Sequence, residues 1–168
     1  MEYFDIYDKN RNKTGKIIKR GERMNDDEYH LIVQVWLLNK DGKYLLQRRG
    51  KTKAGANLWA ATGGNVISGE DTIDCAIRET KEEIGIDITK LEGGVFDSRI
   101  YHLNDQNYIC DSFLYKCDCD VDKLKLQKEE VAEVKYLTID EFCELRNQGK
   151  TFYYWDSYLE YLKNIALK

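Results

Sequence analysis

"GNVISGEDTIDCAIRETKEEIGI", Gly64 to Ile86, is the stretch on which the reading of this chain turns. Its second half, from Asp71 to Ile84, has the periodicity of a helix, and Gly85 is a natural stop for it. A helix turns about 100° per residue, so Glu79, Glu82 and Glu83 share one face. Ile73, Ala76, Ile77 and Ile84 cluster on another face roughly 130° away. Such a helix buries its apolar stripe and still presents three carboxylates to a cleft. Like charges at these spacings cost an isolated helix about 0.2–0.5 kcal/mol per pair. A solvated acidic face, partly neutralised by Lys81, is the plain reading of such a pattern. A hard divalent cation offsets the repulsion more fully, because Mg²⁺ prefers oxygen ligands and is held by carboxylates together with substrate phosphates.

Working outward, the 168 residues suit one domain, and a hydrophobic content of 42% is enough to build a core. A net charge of −4 gives no reason to expect a nucleic acid or a membrane surface as partner. No apolar run approaches the roughly 20 residues of a membrane span. The opening "MEYFDIYDKN" has no apolar signal core, so the expected location is cytoplasmic. Five cysteines, Cys75, Cys110, Cys117, Cys119 and Cys143, then read as free thiols. Cys117 and Cys119 are spaced C-x-C, with no second motif to complete a zinc site.

Short strands are expected at "YFDIYD" and "KIIKR". "HLIVQVWLLN", His30 to Asn39, is apolar and β-rich like a buried central strand. "KDGK" is a turn into a second strand, "YLLQRR". "LWAAT" is a short strand leading into Gly63-Gly64, two long strands follow near 91–102 and 108–117, and "VAEVKYL" is the last strand. Helices are expected near 138–147 and 154–166. The pattern gives one α/β (α+β) domain with a mixed sheet.

Gly64, Glu70, Arg78, Glu79, Glu82, Glu83 and Gly85 match seven fixed positions of a known signature. The stretch resembles the Nudix box, with Thr80 departing where the family usually has an aliphatic residue. From about Tyr3 to Trp155 the chain is similar to the isopentenyl-diphosphate-isomerase-like branch of the Nudix superfamily. The resemblance implies an α/β/α sandwich, with residues 1–28 as an N-terminal strand extension and 29–168 as the Nudix domain, box at 64–86. It implies Mg²⁺, or Mn²⁺ in its place, held by Glu79, Glu82 and Glu83 with the Gly64 carbonyl. Arg78 orients the carboxylates, and Glu70 anchors the loop. The general base is left open among Glu82, Glu129, Glu130 and Glu133.

That branch holds both isomerases and hydrolases of diphosphates. The isomerases use a cysteine and a metal-binding histidine just after the tryptophan of "LWAATGG"; here Ala60 to Asn65 supplies neither, and only His30 falls at a comparable metal position. The residues therefore favour hydrolysis of a diphosphate linkage in a nucleoside diphosphate derivative or similar small molecule. An allylic diphosphate isomerase and a non-catalytic nucleotide sensor are the alternatives, and the intact glutamates argue against the sensor. The partner is a small molecule, and the chain is a monomer or a homodimer. For phosphate contacts, Arg48 and Arg49 leave a strand on opposite faces. The branch favours Arg49, with Lys53 from the following loop. Gln34, the lone polar residue in an apolar strand, is a candidate for the cleft. Trp36, Trp59, Tyr101, Tyr108 and Phe113 are core residues or a stacking surface, and His102 is expected at the surface.

Overall fold

The structure, a computed structural model, describes residues 1–51, 54–103 and 105–167. Strands β1 (Tyr3–Tyr7), β2 (Lys13–Lys19), β3 (Tyr29–Leu38), β4 (Tyr44–Arg49), β5 (Trp59–Ala60), β6 (Thr62–Asn65), β7 (Gly93–Leu103), β8 (Gln106–Lys116) and β9 (Val131–Leu137) join in one sheet. Helices α1 (Thr72–Ile84), α2 (Ile139–Asn147) and α3 (Asp156–Ala166) cover it. None of the described helices is long and apolar enough to cross a membrane.

β3 is the spine because its side chains are apolar on both faces. It runs parallel to β8 from Tyr29↔Asn107 to Leu38↔Lys116. Leu31, Val33, Val35 and Leu37 face α1 and pack with Ala76 and Ile84. Trp36 faces the other way and packs with Tyr154, Tyr158 and Leu162 of the α3 side. The sheet is thus sandwiched between α1 and the α2–α3 pair.

The other edge of β3 is shared. Leu37 and Leu38 pair with Leu45 and Tyr44 of β4, whereas Ile32 to Val35 pair with Asn65 to Thr62 of β6. β4 turns away to take β5 and β9. "LWAAT" is therefore two strands rather than one: the chain leaves β4 at Ala60 and joins β3 at Thr62. The result is a fork in the sheet, and α1 packs over it.

α1 is bounded as its sequence dictates. The Asp71 side chain caps the first turn by accepting from Asp74 N, and Gly85 closes the helix at φ 75° with its N–H on Lys81 O. Its start is pinned by buried Asp111 of β8, which accepts from Thr72 Oγ1 (2.7 Å), Ser98 Oγ (2.7 Å) and the Arg11 guanidinium. Burial opposes ionisation of Asp111, but these hydrogen bonds outweigh it and hold the carboxyl below the usual range.

A left-handed φ at a residue with a Cβ costs about 1–2 kcal/mol. Gly85→Ala should therefore lower the melting temperature by about 2–8 °C. Thermal unfolding followed by circular dichroism checks this; an unchanged midpoint would show that the helix end relaxes freely.

Candidate active site

Glu79 and Glu83 lie one turn apart on α1 and are both buried, Glu83 almost completely. Glu79 packs against the backbone of Gly64. A Cβ there would stand 2.2 Å from Glu79 Oε1, and one on Gly63 would stand 2.1 Å from Val33 O. A side chain on Gly63 would push β6 away from the β3 backbone, and one on Gly64 would displace the Glu79 carboxylate. Glu83 receives a hydrogen bond from Gln47 Nε2 at 2.7 Å, and Gln47 Oε1 accepts from Thr62 Oγ1 at 3.2 Å. Gln47 thus bridges the fork from β4 to β6 and holds the second carboxylate between them. Sequence reasoning missed Gln47, the first polar residue after the apolar run Tyr44–Leu46 and the only uncharged one there, ahead of the two arginines.

Arg78 ties the loop to the helix. It forms a bidentate pair with Glu70 (2.8 and 3.0 Å), reaches Glu79 Oε1 at 2.7 Å, and donates to Asn65 O at 3.1 Å. Glu70 in turn accepts from Ile67 N at 3.1 Å. The hydrogen bond to Glu70, then that to Glu79, strengthens the hold of the guanidinium on its proton. Arg78 and Glu70 are placed to orient carboxylate and loop. Thr80 is wholly buried, with its hydroxyl donated to Ala76 O at 2.6 Å, so it fills an apolar position without an unpaired polar atom.

The three glutamates do not share one environment. Glu82 has a side chain 58% exposed and lies 3.5 Å from Arg78 at the rim of the site. Ile73 is exposed too, because the sheet covers the Cys75–Ala76–Glu79–Glu83 side of the helix. Among the described residues no three His, Cys, Asp or Glu side chains form a ready-made metal cluster. The donor chemistry nevertheless suits a hard cation: two buried carboxylates beside a glycine backbone offer oxygen ligands only. Burying two like charges one turn apart is costly without a compensating positive charge.

Arg48 is held by Glu133 (3.0 Å) and Asn57 (3.1 Å). A bulge separates it from Arg49, which donates to Ala54 O at 2.9 Å and lies over the Phe152 ring at 5.3 Å. Lys53 lies outside the described residues. Gln34 pairs with Gly63 but sits on the sheet face away from α1, and its buried Oε1 has no hydrogen-bond partner among the described residues. The segment of Glu129 and Glu130 adjoins the site through Gly50, which donates to Glu130 O, and through Gln127, which donates to Glu83 O. Trp36, Trp59 and Phe113 are core; Tyr101 and Tyr108 are half-buried, and His102 is exposed.

The NUDIX domain family model matches residues 28–156. The chain belongs to the Nudix family. It is 35% identical over 167 residues to an uncharacterized Nudix hydrolase of Listeria monocytogenes, covering 98% of this chain and 96% of that one. It is 31% identical over 113 residues to an isopentenyl-diphosphate Delta-isomerase of Citrobacter koseri, covering 66% of this chain and 62% of that one. The crystal structure of DR0079 from Deinococcus radiodurans has the same fold, with a TM-score of 0.78 at 18% identity over 97% of this chain and 98% of that one.

His30, at a position comparable to an isomerase metal ligand, is a core residue here. It stacks on Phe4 at 4.1 Å, and its Nε2 faces Val66 O at 3.3 Å. Burial pushes its pKa down to about 4.

Residues that hold a metal ligand in place typically contribute about 10–100-fold to metal affinity. Gln47→Leu should raise the divalent-metal concentration for half-maximal activity by that order. An unchanged metal requirement in a folded variant would separate Gln47 from the metal-binding face.

Proposed function

We propose that this Nudix protein is a Mg²⁺-dependent hydrolase of a diphosphate linkage in a nucleoside diphosphate derivative or similar small molecule, with Mn²⁺ able to substitute. The observation that carries this reading is the burial of Glu79 and Glu83 beside Gly64. Bound there, Mg²⁺ supplies neutralisation of the diphosphate charge and a lowered pKa for coordinated water. Glu79, Glu83 and the Gly64 carbonyl are the ligands, with Glu82 completing the set from the rim. Arg78 fixes the Glu79 carboxylate through its pairing with Glu70, so the ligand geometry is set before substrate arrives. Glu82 is also the candidate base, since its exposed carboxylate has access to the attacking water. That water adds to phosphorus, the P–O bond to the leaving phosphate breaks, and the proton passes to the carboxylate. Arg49, with Lys53, is proposed to grip the diphosphate.

An isomerase is among the relatives, but the Trp59–Asn65 segment holds no cysteine to deliver a proton to an alkene. The named chemistry that the remaining residues support is attack by water.

Activity should vanish in excess chelator and return with Mg²⁺ or Mn²⁺. Loss of a transition-state electrostatic contact typically costs about 10²–10³ in kcat. Glu83→Gln should lose at least that much while keeping the circular dichroism spectrum of the parent. Full activity in chelator, or a near-normal kcat for Glu83→Gln, would overturn the assignment.

Arg49 contacts bound diphosphate in ground and transition states alike under this reading, so Arg49→Ala should raise KM and leave kcat nearly intact. Arg48→Ala should change either constant little, because its guanidinium is engaged with Glu133. Steady-state kinetics of the two variants on the best substrate decide this, and a larger loss at Arg48 would reverse the roles.

A further inference from the structure

The N-terminal strands close a cavity of about 410 Å³ that the proposed mechanism leaves unused. Its volume lies in the range of small-molecule sites. The floor is apolar, made by Phe4, Ile18 and Met24. His30 and Tyr108 supply aromatic wall, with ring centroids 5.9 Å apart. Asn65 completes the wall, and Arg20 and Arg23 stand at the mouth.

Asn65 connects this cavity to the glutamates. It lines the cavity while its carbonyl accepts from Arg78. The residue before it is Gly64, whose missing side chain would point at Glu79. Successive residues of a strand face opposite ways. The cavity and the carboxylates therefore lie on the two sides of β6, one residue apart.

The charges at the mouth select the ligand. Among the described residues Arg23 makes no ion pair or hydrogen bond. Arg20 pairs with Glu2 at 2.7 Å across an exposed surface, a contact that is cheap to exchange. The one acid of the lining, Glu22, turns its carboxylate to Lys19 N at 2.9 Å. His30 has its Nε2 on Val66 O, so it gives a cation no ligand from that nitrogen. Two guanidinium groups above an apolar and aromatic floor suit an anionic oxygen group on a compact organic body, since guanidinium matches phosphate and carboxylate with paired hydrogen bonds.

We infer that this cavity is a binding site separate from the glutamate cleft, taking a compact organic molecule that bears a phosphate or carboxylate.

The test is calorimetric titration in excess chelator, where metal-free glutamates repel anions and leave the cavity as the site observed. The probes are phenyl phosphate, benzoate and benzyl alcohol. At least one anion should bind and the alcohol should not, and the stronger anion names the group. Arg23→Ala should raise its Kd at least tenfold, Arg20→Ala/Arg23→Ala should raise it further, and Glu83→Gln should leave it unchanged. Binding of neither anion, or equal affinity in parent and Arg23→Ala, overturns the inference. Anion binding that survives in a protein with no Mg²⁺-dependent turnover of any diphosphate would instead count against the hydrolase reading alone.

Discussion

Two carboxylates of one helix are buried against a strand that has no side chains to spare. That constraint organises everything around it. Because Glu79 presses on Gly64, β6 needs glycine there, and because β6 presses on Val33 O, Gly63 needs it too. Because Glu83 is removed from water, it needs a polar partner inside the sheet, and Gln47 provides one only where β4 has parted from β3. The fork is thus a requirement of the site as well as a feature of the sheet. An unforked β3–β4 pair would fill that space with the ladder itself.

The helix is held at both ends, which is what a site built on carboxylate geometry requires. At its start Asp111 gathers Thr72, Ser98 and Arg11 from three different elements. At its end Glu83 O accepts from Gln127 N, and the Gly85 turn closes on Lys81 O. Between them Arg78 joins loop to helix through Glu70 and Asn65. A shift of α1 along its axis would break contacts at each of these points, so its carboxylates have little freedom relative to β6.

What the sequence disclosed follows the range of the interactions. The helix, its stop at Gly85 and the hold of Arg78 on a neighbouring carboxylate all lie within 64–86, and local spacing carries them; the Asp71 cap and the pairing of Arg78 with Glu70 came from the structure. The sheet was legible from runs of apolar β-formers, down to the hairpin at "KDGK". The separation of Glu82 from Glu79 and Glu83 was not, because helical angles alone do not say where the sheet's surface cuts across the acidic face. Gln47 was missed for the same reason: its partner lies 36 positions away. The Arg48–Arg49 alternation assumed a regular strand, and a bulge against β9 intervenes. The gathering of Arg23, Asn65 and Tyr108 around one cavity depends on a chain path that no local pattern encodes.

The N-terminal strands were expected as an extension packed beside the domain, and their contacts give them two tasks. The β1–β2 turn sends Arg11, at φ 67°, to buried Asp111 and so to the start of α1. The chain after β2 sends Arg20 and Arg23 over the cavity behind β6. Both contacts end within one element of the glutamates, from opposite sides. A left-handed φ at an arginine costs energy that the ion pair to a buried carboxylate offsets. The turn is closed in addition by Asp8, whose carboxylate accepts from Asn10 N and Asn12 N at 2.9 Å, so it presents Arg11 to Asp111 already shaped. The N-terminal strands thus touch both sides of β6: their turn reaches the start of α1 through Asp111, and the chain that follows them reaches the cavity mouth through Arg20 and Arg23.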